Sequence, residues 1–120
     1  MDFEPAPVWS IIKVAYPHTD RPVRQRRPAL VVAQTGREAG VPLLWVLMFT
    51  SAENRGWVGD VQISDAAAAG LPADSVVRTE KIATIDAREA TLLGSLPPSD
   101  RPLVAGELRR RLAACDHAGR

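Results

Sequence analysis

Apolar residues come in short blocks separated by proline, glycine and charge, and only the last block has helical spacing. Residues 1–8, with Pro5 and Pro7, read as an extended lead-in. Trp9–Tyr16 carries the strand formers Ile11, Ile12, Val14 and Tyr16. Pro17–Arg26 is polar, and its proline, Thr19 and Asp20 are turn chemistry. It is long for a hairpin connection, and long loops on small scaffolds often carry function. Arg27–Ala33 is a second strand whose continuous apolar run predicts burial on both faces, with Pro28 at its start. Thr35–Gly40 is a turn. Leu43–Phe49 is the most apolar segment and is predicted as the central strand, with Trp45 in the core. A second polar loop, Thr50–Gly59, leads to a short strand, Asp60–Ile63.

Ser64 or Asp65 can cap a short helical turn over Ala66–Ala69, which Gly70 ends. Ser75–Ile85 has strand character and reads as two short strands with a bend. Ala87–Leu92 is predicted to form one or two helical turns capped by Asp86. Pro97–Asp100 introduces a final helix over Arg101–Ala114, on which Leu103, Val104, Leu108 and Leu112 form one apolar stripe that packs on the sheet. Residues 115–120 are expected to fray. The fold class that follows is mainly β with short helices, a small and strongly bent antiparallel sheet or barrel with a C-terminal helix. Both an SH3-like and an OB-like barrel satisfy the pattern.

Length and composition narrow this further. A chain of 120 residues is one domain's worth of core, so residues 1–120 are read as a single domain. Hydrophobic residues at 46% and charged residues at 24% belong to a folded chain, not a disordered one. The run Leu43–Phe49 falls short of the roughly 20 residues that span a bilayer. The opening MDFEPAPVW has acids where a signal peptide needs basic residues, so a cytoplasmic location is expected. One cysteine, Cys115, and two histidines do not make a Cys/His metal set, and no metal or other cofactor is expected.

The net charge of +1 is uninformative, but its distribution is not. Arg21, Arg24, Arg26, Arg27 and Arg37 lie in an interval without Asp or Glu. Guanidinium groups offer planar paired donors that suit phosphate. If Arg27–Ala33 and Leu43–Phe49 are antiparallel neighbours, the start of one lies beside the end of the other, and Arg27 meets Thr50 at one rim. A guanidinium and a hydroxyl side by side suit a phosphate or oxyanion.

Six segments, in order, resemble the MazF/PemK family of bacterial toxin endoribonucleases. Tyr16-Pro17-His18-Thr19-Asp20 resembles its aromatic-Pro-x-Thr-Asp, and Gln25–Val32 its basic-Arg-Pro-Ala-Leu-Val-Val. Val46–Ser51 stands where the family has an apolar strand ending in Pro-x-Thr-Ser. Gly70–Val77, Lys81–Asp86 and Leu93–Leu96 resemble its Gly-Leu-x-x-Asp-Ser-Val-Val, the strand that follows and its Ile-Gly-x-Leu. Two departures stand out: Trp9-Ser10 replaces the family's usual Gly-Asp, and Met48 replaces its proline.

The resemblance implies an SH3-like barrel, a homodimer, metal-independent cleavage of single-stranded RNA, and inhibition by a cognate antitoxin. It maps the catalytic pair onto Arg27 and Thr50. Around them, His18, Thr19, Arg24, Arg26, Ser51, Arg55 and Trp57 are candidate substrate contacts. Arg24, Arg26 and Arg55 suit the RNA backbone, and Trp57 suits base stacking. His18 alone nearby has an ordinary pKa suited to acid–base work. A non-catalytic toxin on the same barrel, similar to the CcdB-type gyrase poisons, and an inactive RNA-binding module are the alternatives.

Overall fold

The computed structural model describes residues 5–15 and 26–118, with side chains through Cys115. Among the described residues, six strands form one antiparallel sheet: β1 (Ser10–Ala15), β2 (Arg26–Thr35), β3 (Leu43–Ser51), β4 (Asp60–Gln62), β5 (Ser75–Asp86) and β6 (Thr91–Ser95). A single helix, α1 (Arg101–Ala118), ends the described chain. The strand order is β4-β5-β3-β2-β1-β6, so β3 is interior as expected and the sheet stays open between β4 and β6.

The period-two alternation of side chains sends apolar residues to both faces. Ile11, Leu30, Leu47, Phe49 and Val77 point to the face covered by Val104 of α1, by Leu96 and by the 66–71 segment. Ile12, Val14, Ala29, Val31, Val46, Met48 and Ile85 gather on the other face. One helix cannot cover both faces, so the second is closed by the bend of the sheet itself and by the lead-in. Ala6 packs there, and the Gln34 side-chain amide donates to its carbonyl at 2.8 Å.

Several expectations are corrected. Ala87–Leu92 is not helical throughout: a 3-10 turn spans Ala87–Glu89, and β6 begins at Thr91. The ladder with β1 decides this, since Lys13 pairs with Thr91 and Ile12 with Leu92. Ser75–Asp86 is one strand, but its register on β3 jumps between Leu47↔Ile82 and Met48↔Arg78, and that jump is the predicted bend. Trp45 is not core; it is 42% exposed. Leu103 and Leu112 also face outward, because α1 buries only Val104 fully and Leu108 in part. The helix continues to Ala118, four residues beyond its expected end.

Both departures from the family pattern acquire a physical setting. Trp9 holds φ at 77°, a left-handed backbone that favours glycine. Its N–H donates to the Val31 carbonyl at 2.8 Å, its carbonyl accepts from Leu96 at 2.9 Å, and its ring packs against the helix-side core. That anchoring offsets a strain of about 1–2 kcal/mol. Met48 pairs with both Ala29 and Arg78, so the ladder runs through the position where proline would interrupt it.

Two glycines allow the 66–71 segment to reach β6. A methyl on Gly94 would lie 2.3 Å from the Ala69 carbonyl oxygen, and one on Gly70 2.5 Å from that of Leu93. Both obstacles are backbone, which cannot swing aside. Gly94→Ala is therefore expected to destabilise the fold by about 1–3 kcal/mol, read as a lowered midpoint in urea with unchanged slope. An unchanged midpoint would mean that this close approach is absent in solution.

Candidate functional site

Where β2, β3 and β5 lie side by side, their ends build a small pocket of about 60 Å³. Its lining is Arg27 from β2, Met48, Phe49 and Thr50 from β3, and Arg78 and Lys81 from β5. The β2–β3 register explains the first meeting. Ala29 stands opposite Met48, and continuing two residues along each strand brings Arg27 opposite Thr50. Directly opposed residues share a face.

The β5 irregularity explains the second. Arg78 and Lys81 are three apart, and strict alternation would send them to opposite faces. Thr79, Glu80 and Lys81 have no counterparts on β3 across the register jump, so the extra residues re-aim the strand. Among the described residues, the lining thus holds three cations, one hydroxyl and no carboxylate. Such a set suits an oxyanion whose charge is spread over several oxygens.

Arg78 is buried together with Asp60, the first residue of β4. Its Nε donates to Asp60 Oδ1 at 3.1 Å and one Nη to Oδ2 at 3.0 Å. The same Nη donates to the Asn54 carbonyl at 2.8 Å. Its guanidinium carbon lies 4.0 Å from the centre of the Trp57 ring, with the Lys81 Nζ at 5.9 Å from the same ring. Burial pushes the Asp60 carboxyl up, but hydrogen bonds from Arg78 and from the Trp57 and Gly56 N–H groups outweigh it and hold the group below its ordinary value. The bond to Asp60 raises Arg78 in turn, against the opposing effect of burial.

The other predicted contacts separate into distinct settings. Thr50 is half-buried, and its Oγ1 accepts from the Asn54 side-chain amide at 3.4 Å. Ser51 turns into its own loop, where its Oγ accepts from the Glu53 N–H and caps the Ala52–Asn54 turn. Arg55 donates to the Ala52 carbonyl at 3.1 Å and is exposed. Trp57 is half-exposed on Arg78. Arg26 points away from the pocket: its guanidinium crosses β1 to the Lys13 carbonyl, the Glu89 carbonyl and the Thr91 hydroxyl, toward β6. His18, Thr19 and Arg24 lie outside the described residues.

Sequence reasoning overlooked Arg78, Lys81, Asn54 and Asp60. A cation directly after the Val76-Val77 pair, within a strand-forming segment, was the available signal for Arg78. The sequence announced a bend in this strand, but not that the bend would turn Lys81 into the same pocket.

Comparison with known proteins places this geometry in context. Residues 8–112 match the family model described as PemK-like, MazF-like toxin of type II toxin-antitoxin system. No curated protein matches the sequence significantly. Among solved structures, the fold is similar to MazF (Form-I) from Deinococcus radiodurans, with 21% identity, a TM-score of 0.70, and coverage of 92% of this chain and 99% of that one. It is also similar to the Mycobacterium tuberculosis toxin MazF-mt6, with 22% identity, a TM-score of 0.63, and coverage of 85% and 95%. A third is an endoribonuclease in complex with its cognate antitoxin from Mycobacterial species, with 17% identity, a TM-score of 0.67, and coverage of 90% and 96%. At these identities the likeness to solved structures establishes the fold. Among the described residues, no helix is long and apolar enough to cross a membrane.

Proposed function

The chain belongs to the family of PemK-like, MazF-like toxins of type II toxin–antitoxin systems, and from that premise we propose that it is an endoribonuclease that cuts single-stranded RNA at the Arg27–Thr50 pocket. The observation that carries this reading is the convergence of Arg27, Thr50, Arg78 and Lys81 on one small cavity.

RNA holds its own nucleophile. The 2′-hydroxyl attacks the adjacent phosphorus, the new O–P bond forms, and the bond to the 5′-oxygen breaks. The 2′-hydroxyl proton is lost and the leaving 5′-oxygen gains one, so the products are a 2′,3′-cyclic phosphate and a 5′-hydroxyl. The protein must stabilise the charge that builds on the phosphoryl oxygens. Arg27 does so with paired donors, and the Thr50 hydroxyl donates to a non-bridging oxygen. Lys81 adds positive charge at the same wall. Arg78 contributes little net charge, since Asp60 neutralises it. Trp57 offers an exposed indole face to a base, an interaction worth about 1–3 kcal/mol. Arg55 and Ser51, together with His18, Thr19 and Arg24, complete the proposed substrate contacts. Arg26 belongs to them less readily, because its donors are engaged toward β6.

The direct test is incubation of the purified protein with a long single-stranded RNA in EDTA. Discrete cuts carrying 5′-hydroxyl ends are expected. RNA that stays intact across sequences rich in each base overturns the reading.

A cationic pocket of this kind also suits an acidic segment of a cognate antitoxin, which would block the RNA path by occupying it, and a cytoplasmic setting fits such a substrate. For self-association, a groove of about 550 Å³ between β5 and α1 is lined by Ile82, Leu108, Leu112 and Ala114 among others. Ile82 and Leu112 are 47% and 50% exposed, a poor arrangement for an isolated protomer and a good one for a homodimer. Ile82→Glu is expected to shift the protein from dimer to monomer in sedimentation while its circular dichroism is kept. A wild-type protein that sediments as a monomer overturns the dimer.

A further inference from the structure

Asn54 has two links that run in opposite directions. Its backbone carbonyl accepts from the buried Arg78 guanidinium at 2.8 Å, and its side-chain amide donates to Thr50 Oγ1 at 3.4 Å. Arg78 cannot drift, because both oxygens of the Asp60 carboxylate hold it and the Trp57 ring lies against it. Asp60 in turn accepts from the Gly56 and Trp57 N–H groups. The short loop after β3 is therefore pinned from the pocket side along its length.

The polarity of the Thr50 contact matters. An amide N–H can only donate, so Thr50 Oγ1 is the acceptor in that bond. The hydroxyl's own hydrogen must then point away from Asn54, and Thr50 lines the pocket. A hydroxyl with a free rotor spends part of its time as an acceptor, which repels a phosphoryl oxygen. Accepting from Asn54 engages one of the two lone pairs of Thr50 Oγ1 and excludes the rotamers that aim its hydrogen at Asn54, which biases it toward donating.

We infer that Asn54, held in place by Arg78, is a positioning residue of this site that presets the Thr50 hydroxyl as a hydrogen-bond donor toward the scissile phosphate. The inference rests on the nuclease reading above and deepens it. Asn54 touches no reacting atom; it acts through Thr50.

The test is a double-mutant cycle on an oligoribonucleotide spanning one mapped cut. Asn54 is exposed in a short 3-10 turn, so Asn54→Ala is expected to fold, with its melting midpoint checked first. In the wild-type background Asn54→Ala should lower kcat by about tenfold and leave KM within about twofold, the pattern of an interaction realised in the transition state. In the Thr50→Ala background the same change should have no further effect on kcat. Arg78→Lys keeps a cation beside Asp60 but offers fewer donors, and should reproduce the Asn54→Ala loss where it folds. For turnover too slow to measure, the cycle is read on the single-turnover rate with protein in excess over the same strand. There Asn54→Ala should lower the rate about tenfold in the wild-type background and leave it unchanged in Thr50→Ala.

An equal loss in both backgrounds overturns the inference and leaves the nuclease reading intact, since Asn54 would then act independently of Thr50. Wild-type activity in Asn54→Ala overturns it as well. A wild-type protein that does not cut RNA even in single-turnover excess overturns both readings together.

Discussion

Arg27→Ala is expected to slow RNA cleavage by about two to three orders of magnitude, the usual loss when a donor to a developing oxyanion is removed. Stability should change little, because Arg27 is exposed near the start of β2 and the apolar core begins two residues later at Ala29. The two readouts separate chemistry from folding. Arg27→Lys sharpens the test: it restores the charge but not the planar pair of donors, so recovery should be partial. Thr50→Val keeps the shape of the side chain and loses the hydroxyl. Its loss should fall below that of Arg27→Ala, because one neutral donor stabilises less than a charged fork. Gel quantification of initial rates with a single RNA substrate is sufficient. If Arg27→Ala cuts at the wild-type rate, the pocket formed by β2, β3 and β5 is not where the phosphodiester is broken.

The largest effect on stability is expected at Arg78. The Arg78 and Asp60 side chains are 9% and 7% exposed, and removing one leaves the other buried without its partner. Arg78→Met should therefore destabilise the protein by about 3 kcal/mol. The double variant Arg78→Met/Asp60→Leu should recover much of that, since no charge is then stranded.

Acid titration gives an independent check. The folded-state pKa of Asp60 lies below its ordinary value of 3.8, so the stability it contributes is fully present above the unfolded value. That contribution is lost as pH falls through the folded value. Arg78 is shifted upward from an already high pKa, and its contribution is fully present throughout this range. In Arg78→Met, Asp60 has lost its main partner, and burial makes protonation favourable. Acidification should therefore destabilise the wild type while relieving the variant, and the difference between them should narrow below about pH 4. Urea midpoints at neutral pH and at pH 3 measure this. A difference that stays constant across the two conditions rejects the buried ion pair as its source.

The strands were legible because their apolar content is local. The blocks of β1, β2 and β3 are bounded to within two residues by the prolines, glycines and charges around them. Thr91–Ser95 was harder: its residues satisfy either a turn of helix or an edge strand, and only the partner strand β1 decides. Hydrophobicity alone predicts Trp45 in the core. Burial at that position depends on what packs over it from elsewhere in the chain, and Trp45 stays 42% exposed.

The meeting of Arg27 with Thr50 followed from chain order and antiparallel pairing, both of which a sequence carries. Arg78, Lys81, Asn54 and Asp60 did not follow. They lie on elements whose mutual placement depends on a three-residue slip in β5 and on a loop pinned by a buried ion pair. Periodicity and turn chemistry concern neighbours along the chain, and they specified the strands, the terminal helix and the primary pair of polar residues. Which further groups share the pocket, and which way a hydroxyl there must point, depend on contacts between residues far apart in the chain. Those contacts exist only once the sheet has bent and the loop has closed onto it.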